Sequence, residues 1–272
     1  NINNTWTQLG SDIDGEAADD ESGWSVSLSS DGSIVAIGAR RNDTNGNNSG
    51  HVRIYENVNN TWTQIGSDIE GEAAGDESGW SVSLSSDGSV VAIGAKHNSG
   101  NGSDSGHVRI YKNVNNTWTK VGSDIDGEAA GDESGWSVSL SSDGSVVAIG
   151  ANRNDGNGDK SGHVRIYQNV NNTWTKVGSD IDGEAAGDES GWSVSLSSDG
   201  SVVAIGAVGN DDNGNVSGHV RIYEFDLLDT TAPIAPLSLT TSATTTNDNT
   251  PIITGTAEAG STVTLYKGSI SD

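Results

Sequence analysis

The sequence predicts an all-β protein: a β-propeller of four-stranded blades, made from four nearly identical 56-residue repeats and followed by a partial β-sandwich. Three observations lead there. Trp6, Trp62, Trp118 and Trp174 stand 56 residues apart, as do Trp24, Trp80, Trp136 and Trp192, and His51, His107, His163 and His219. Each repeat contains several short runs with strand patterning. The composition has no Cys, no Met and one Phe against 37 Gly, a vocabulary suited to short strands and tight turns.

The elements of one repeat follow in order. Gly23 to Ser29 alternates Trp24, Val26 and Leu28 with Ser25 and Ser27, the period of a strand. Ser30 to Gly32 supplies a turn, because Asp and Gly tolerate positive φ. Ser33 to Ala39 is apolar on both faces and predicts a strand buried on both. His51 to Tyr55 forms the third strand and, after the turn Asn57 to Asn60, Thr61 to Ile65 forms the fourth. Four-stranded units that bury both faces at this period stack radially as blades, each sheet packing on its neighbours. After Leu228 the composition shifts: Pro233, Pro236 and Pro251 are the only prolines in the chain, and Lys267 is the only basic residue of that stretch. The expected domains are therefore residues 1–228 and 229–272, with the boundary in Asp229 to Pro233.

Charge bounds the partners. Thirty-eight acidic against 13 basic residues give a net charge of −25, a field that repels nucleic acid and anionic lipid and attracts divalent cations and basic proteins. No apolar run approaches the roughly 20 residues of a membrane span, so no membrane insertion is expected. The absence of Cys excludes a disulfide scaffold and thiolate metal sites. With neither an initiator Met nor a signal peptide, the chain reads as an excerpt of a longer protein.

The stretch Gly23 to Ala39 followed by Ser49 to Glu56 resembles the FG-GAP repeats of integrin-like β-propellers: Gly23-Trp24 stands where the family has Phe-Gly, Gly38-Ala39 closes the motif, and Gly50 to Tyr55 matches its Gly-x-Val-x-Val-Tyr strand. The resemblance covers residues 1 to 228 and implies a propeller acting in extracellular binding or adhesion. The calcium hairpin of many FG-GAP blades is not carried over, since Asp31, Asp87, Asp143 and Asp199 are the sole carboxylates of their turns and calcium takes six to eight oxygens. Residues 229–272 resemble the opening half of the bacterial Ig-like domains that recur in surface proteins, which implies further Ig-like domains in the same chain.

The candidate metal ligands lie in the acidic connection Asp12 to Gly23 and its three copies. They are Asp68, Glu70, Glu72, Asp76 and Glu77 in the second repeat and Asp124, Asp126, Glu128, Asp132 and Glu133 in the third. Calcium is the candidate cofactor. The spacing departs from an EF-hand loop because Gly stands fourth instead of sixth, and a solvated inter-blade loop is the competing reading. His51 and Arg53 share a strand face, where a buried structural pair is expected over a general base, and the Trp pairs are expected to be packing anchors.

The copies diverge mainly at residues 40–48, 96–104, 152–160 and 208–216, between strands two and three. In an up-and-down blade this loop and the acidic connection emerge on one rim, and surface loops are where binding concentrates. No catalytic residues are expected, because every candidate acid or His of the repeated core recurs fourfold whereas catalysis needs one asymmetric constellation. The expected function is a non-enzymatic cell-surface binding or adhesion module for an extracellular protein or glycan. The alternatives are a glycan-active propeller enzyme and a passive spacer. The segment Thr5 to Leu9 has a fourth-strand sequence, so it either completes the last blade of a closed ring or leaves an open arc.

Overall fold

A computed structural model describes residues 5–227, 237–241 and 253–256. The chain divides into two units, Asn1–Leu228 and Asp229–Asp272. The first unit holds four antiparallel sheets in chain order. β1 (Ser22–Leu28), β2 (Ile34–Ala39), β3 (His51–Val58), β4 (Thr61–Gln64) and β5 (Ile69–Glu70) make the first sheet, in which β4 and β5 both pair with β3. The second repeats the plan with β6 (Ser81–Leu84), β7 (Val90–Ala95), β8 (His107–Val114), β9 (Thr117–Lys120) and β10 (Ile125–Asp126). In the third, β11 (Ser137–Leu140), β12 (Val146–Ala151) and β13 (His163–Val170) are joined by β14 (Thr173–Asp182), which fuses the counterparts of β4 and β5 into one strand. β15 (Ser190–Leu196), β16 (Val202–Ala207) and β17 (His219–Glu224) form the fourth. Among the described residues there is no helix long and apolar enough to cross a membrane.

Turn chemistry fixes each blade. Asn59 and Asn60 join β3 to β4 at φ 52° and 63°, the paired left-handed conformation of a two-residue hairpin turn, which Asn tolerates better than most residues. Asp31 closes the β1–β2 turn. Its Oδ1 accepts hydrogen bonds from the Ser33 amide at 2.9 Å and the Ser29 hydroxyl at 2.8 Å, and the same hydroxyl accepts from the Ile34 amide at 2.9 Å. The carboxylate is thus consumed in the turn.

The core lies between the sheets. Ala36, Val52, Ile54 and Ile65 of the first repeat pack with Leu84, Val91 and Ile93 of the second, and the set recurs at the next two junctions. Polar contacts set the spacing: Ser25 Oγ donates to Gly79 O at 2.7 Å, Ser27 Oγ accepts from the Leu84 amide at 2.9 Å, and Ser30 N donates to Ser86 O at 2.8 Å. Gly38 makes this approach feasible, since a Cβ there would lie within van der Waals overlap of the Gly79 carbonyl. The closing glycines of the first three repeats, Gly38, Gly94 and Gly150, are therefore contacts with the next blade.

The last sheet has three strands. β17 pairs only with β16 among the described residues, while Trp6 to Leu9 lie outside any strand and Trp6 is 92% exposed. Of the two expected arrangements, the open one is observed. In the second unit, β18 (Leu237–Thr241) and β19 (Ile253–Thr256) pair antiparallel. The remaining strands of the expected Ig-like sandwich lie outside the described residues.

Candidate functional site

The loop after β2 and the acidic segment of the next repeat are laced together on one rim. Asn45 Nδ2 donates to Gly71 O at 2.8 Å and to Glu72 O at 3.1 Å, while the Gly75 and Glu77 amides donate to Asn47 O and Asn48 O. Asn42 Nδ2 reaches back to Asp20 Oδ2 of its own repeat at 2.9 Å, and Asp20 also accepts from the Ala17 amide. Asn98, Asn101, Asn154 and Asn157 repeat these bonds. The invariant asparagines thus hold the loop, and the positions that differ between copies include exposed ones, such as Arg41, Thr44, Asn47, Ser103, Arg153 and Asp159.

Beside this rim runs a row of indoles. Trp24, Trp80, Trp136 and Trp192 stand 4.9, 5.0 and 4.8 Å apart, centroid to centroid. The Arg40 guanidinium lies 3.8 Å from the Trp24 ring and 5.0 Å from Trp80; Lys96 Nζ lies 4.0 Å from Trp80 and 5.2 Å from Trp136. Both geometries favour cation–π attraction. Burial pulls the Lys96 ammonium below its ordinary value against the raising influence of Glu133 and Glu77. The row is clamped by side chains of the variable loop, so it is more than a strand-face packing anchor.

The ten acidic candidates do not converge on one point. Asp76 and Asp132 are buried and bound by loop amides and asparagines, Asp76 Oδ2 accepting from Ala73 N and Asn98 Nδ2. Glu77 pairs with Arg40, and Glu133 with Lys96 and Arg153. Glu70 and Asp126 belong to β5 and β10, where their carbonyls accept from Arg109 and Arg165 of the following sheet. Burial raises both of these carboxyls, and neighbouring acids add to it, Asp68 and Glu16 at Glu70 and Asp124 at Asp126. The remaining four, Asp68, Glu72, Asp124 and Glu128, turn toward histidines.

These histidines define four clusters: Glu16–His51–Asp68, Glu72–His107–Asp124 and Glu128–His163–Asp180, each spanning a repeat junction, and Glu184–Asp188–His219 within the last repeat. His51 Nδ1 lies 3.9 Å from Glu16 Oε2 and 4.0 Å from Asp68 Oδ2. Burial depresses His107 and His163 to about 4, reinforced by Arg109 and Arg165, so both imidazoles are neutral at pH 7. Arg53 Nη2 donates to Asp14 O at 2.7 Å, which makes the His-x-Arg strand a structural brace. Sequence reasoning placed His and Arg on one face but missed the carboxylates opposite, because these come from two successive acidic segments. Their common 56-residue spacing was the available signal.

A cleft of about 260 Å³ lined by Asp124, Asp126, Tyr167 and Trp174 recurs at Asp12, Asp14, Tyr55 and Trp62. The concave features of the flank are therefore repeated like the strands.

Comparison with known proteins adds the family. The FG-GAP repeat profile matches residues 12–55, 70–111, 124–167 and 180–223. No curated protein matches. Among solved structures, the Kuenenia stuttgartiensis hydrazine synthase is 12% identical at a TM-score of 0.47, over 79% of this chain and 49% of that one. A "putative 6-phosphogluconolactonase" from Bacteroides uniformis is 12% identical at a TM-score of 0.48, over 74% of this chain and 55% of that one. The chain thus spans about half the length of the solved structures it matches.

Proposed function

This chain belongs to the FG-GAP repeat family, and on that premise we propose that it is a binding module whose loop-bearing rim engages an extracellular protein or glycan in cell-surface adhesion. One observation carries the reading: the rim separates support from display. Asn42, Asn45 and their copies in the second and third repeats spend their side chains on holding the loops, and the exposed positions between them differ from repeat to repeat. Rigid scaffolds with variable exposed loops are how binding surfaces are commonly built. Rim chemistry is mixed, with Arg41, Arg153 and His97 set among carboxylates, which suits polar ligands of either sign. In this reading the module acts without catalysis and without nucleic acid as a partner, which the fourfold recurrence of the acids and histidines of the repeated core and the charge of −25 support.

The test is an array of glycans and extracellular proteins probed with the chain in the presence and absence of calcium. Saturable binding to a defined set supports the proposal. Hydrolysis of an arrayed glycan would replace it with an enzyme, and a blank array would leave a spacer.

A further inference from the structure

We propose that the junction of the first two repeats holds a divalent transition-metal site of the zinc class, formed by Glu16, His51 and Asp68. This site stands independently of the rim, and it draws Asp68 from the acidic connection for a metal other than calcium. His51 is 1% exposed, and its Nδ1 is buried without a hydrogen-bond partner, a costly state for a polar atom. That nitrogen faces the two carboxylates at 3.9 and 4.0 Å, too far for a hydrogen bond.

Each carboxylate is anchored by its other oxygen. Arg53 Nη1 sits 3.5 Å from Glu16 Oε1, and Gln64 Nε2 donates to Asp68 Oδ1, so Glu16 Oε2 and Asp68 Oδ2 are the oxygens left to face the imidazole. An outer donor orienting a carboxylate while its inner oxygen stays available is the arrangement that supports metal ligands. The three ligand atoms lie within 4.8 Å of one another. Tetrahedral binding at about 2.1 Å requires roughly 3.4 Å between ligands, so the cluster must contract. Glu16 is on the surface and can close in on the imidazole while its outer oxygen stays beside Arg53. Imidazole with two carboxylates suits zinc and its neighbours over calcium, which prefers oxygen alone.

The copies rank the site. Where Gln64 stands in the first cluster, the next two have Lys120 and Lys176, whose ammonium groups lie 2.8 and 2.9 Å from Asp124 and Asp180. A cation already paired with the ligand carboxylate opposes a second cation. The first cluster carries two acids against Arg53 alone, whereas the second balances Glu72 and Asp124 against Arg109 and Lys120. The fourth cluster has no lysine, but its Asp188 Oδ2 already accepts from the Ala185 amide and Asn210 Nδ2, so the first junction should bind far more tightly than the others.

Calorimetric titration of the purified chain with Zn²⁺, with bound metal counted by elemental analysis after dialysis, tests this. The expected result is one tight equivalent that millimolar calcium does not displace. Asp68→Asn should remove it, Gln64→Lys should weaken it about 10- to 100-fold, and Lys120→Gln should add a second equivalent. Circular dichroism confirms that each variant is folded, and the gain with Lys120→Gln cannot arise from misfolding. Absence of a stoichiometric equivalent would overturn the proposal, as would one that survives both Asp68→Asn and Gln64→Lys or yields to calcium.

Discussion

The third and fourth repeats have nearly the same strand sequences but live in different surroundings. Val164 and Ile166 in β13 are 0% and 3% exposed; Val220 and Ile222, their counterparts in β17, are 67% and 70% exposed. The difference is one neighbouring sheet. Burial here belongs to the junction between repeats, as expected where each unit cannot cover its own apolar face and stability is shared between neighbours. Near-identical sequences thus provide an internal control for what a contact is worth.

Four substitutions sharpen or break that comparison. Ile166→Ala should cost about 2–5 kcal/mol in denaturant unfolding, as buried large-to-small changes do, while Ile222→Ala should stay within about 0.5 kcal/mol as an exposed change. Equal losses would mean that β17 is covered in solution. Next comes Gly150→Ala, which drives a Cβ into the Gly191 carbonyl of the following repeat and should cost about 1–3 kcal/mol. At Gly206 the new methyl meets only the Ser193 side chain, whose hydroxyl can rotate away, so the same change should be nearly silent.

Trp118→Phe is a smaller perturbation. Trp118 Nε1 donates at 2.8 Å to Ile65 O, just past β4, and losing that bond should cost about 1 kcal/mol, read from the shift in denaturant midpoint. The exposed Trp6 provides the contrast, and Trp6→Phe should leave the midpoint unmoved. The smallest effect concerns acid. Bonds from the Ser33 amide and hydroxyl and from the Ser29 hydroxyl hold Asp31 down at about 2. A depressed folded value means that its contribution is complete above the ordinary carboxylate range and disappears as pH falls through about 2. The melting-temperature difference between wild type and Asp31→Ala should therefore be constant above pH 5 and shrink with acidification. A difference that persists unchanged at pH 2 would remove the carboxylate from the explanation.

Much of the fold was legible because its causes are local and repeated. Alternation at Trp24 to Leu28, the Asp31-Gly32 turn and the Asn59-Asn60 turn each declare their geometry within a few residues. The acidic connection was legible only as a charge run. Its second acids, Glu70 and Asp126, became part of strands because β3 and β8 extend far enough to pair with them, a register set by the partner strand. Asp76 became a buried brace through an asparagine 22 residues away, and Asp68 met Glu16 and His51 across a junction. A local reading of the acidic segment sees neither meeting, since one partner lies 22 residues away and the others lie across a junction. The Trp row was hidden for the same reason, since Arg40 and Lys96 sit at the first position of the loop that varies.

The claim that the exposed loop positions form the binding surface is tested most directly by a paired rim experiment. Arg41, Thr44, Asn47, Ser103, Arg153 and Asp159, all exposed on the loop-bearing rim, are replaced together by alanine in one variant; Thr61, Thr117 and Thr173, exposed beside the opposite turns, are replaced in another. Both are then measured for melting temperature and for binding to ligands identified on the array. The account predicts that the first variant keeps most of its stability and loses binding at least tenfold, while the second keeps both. Undiminished binding by the first variant together with loss in the second would contradict it.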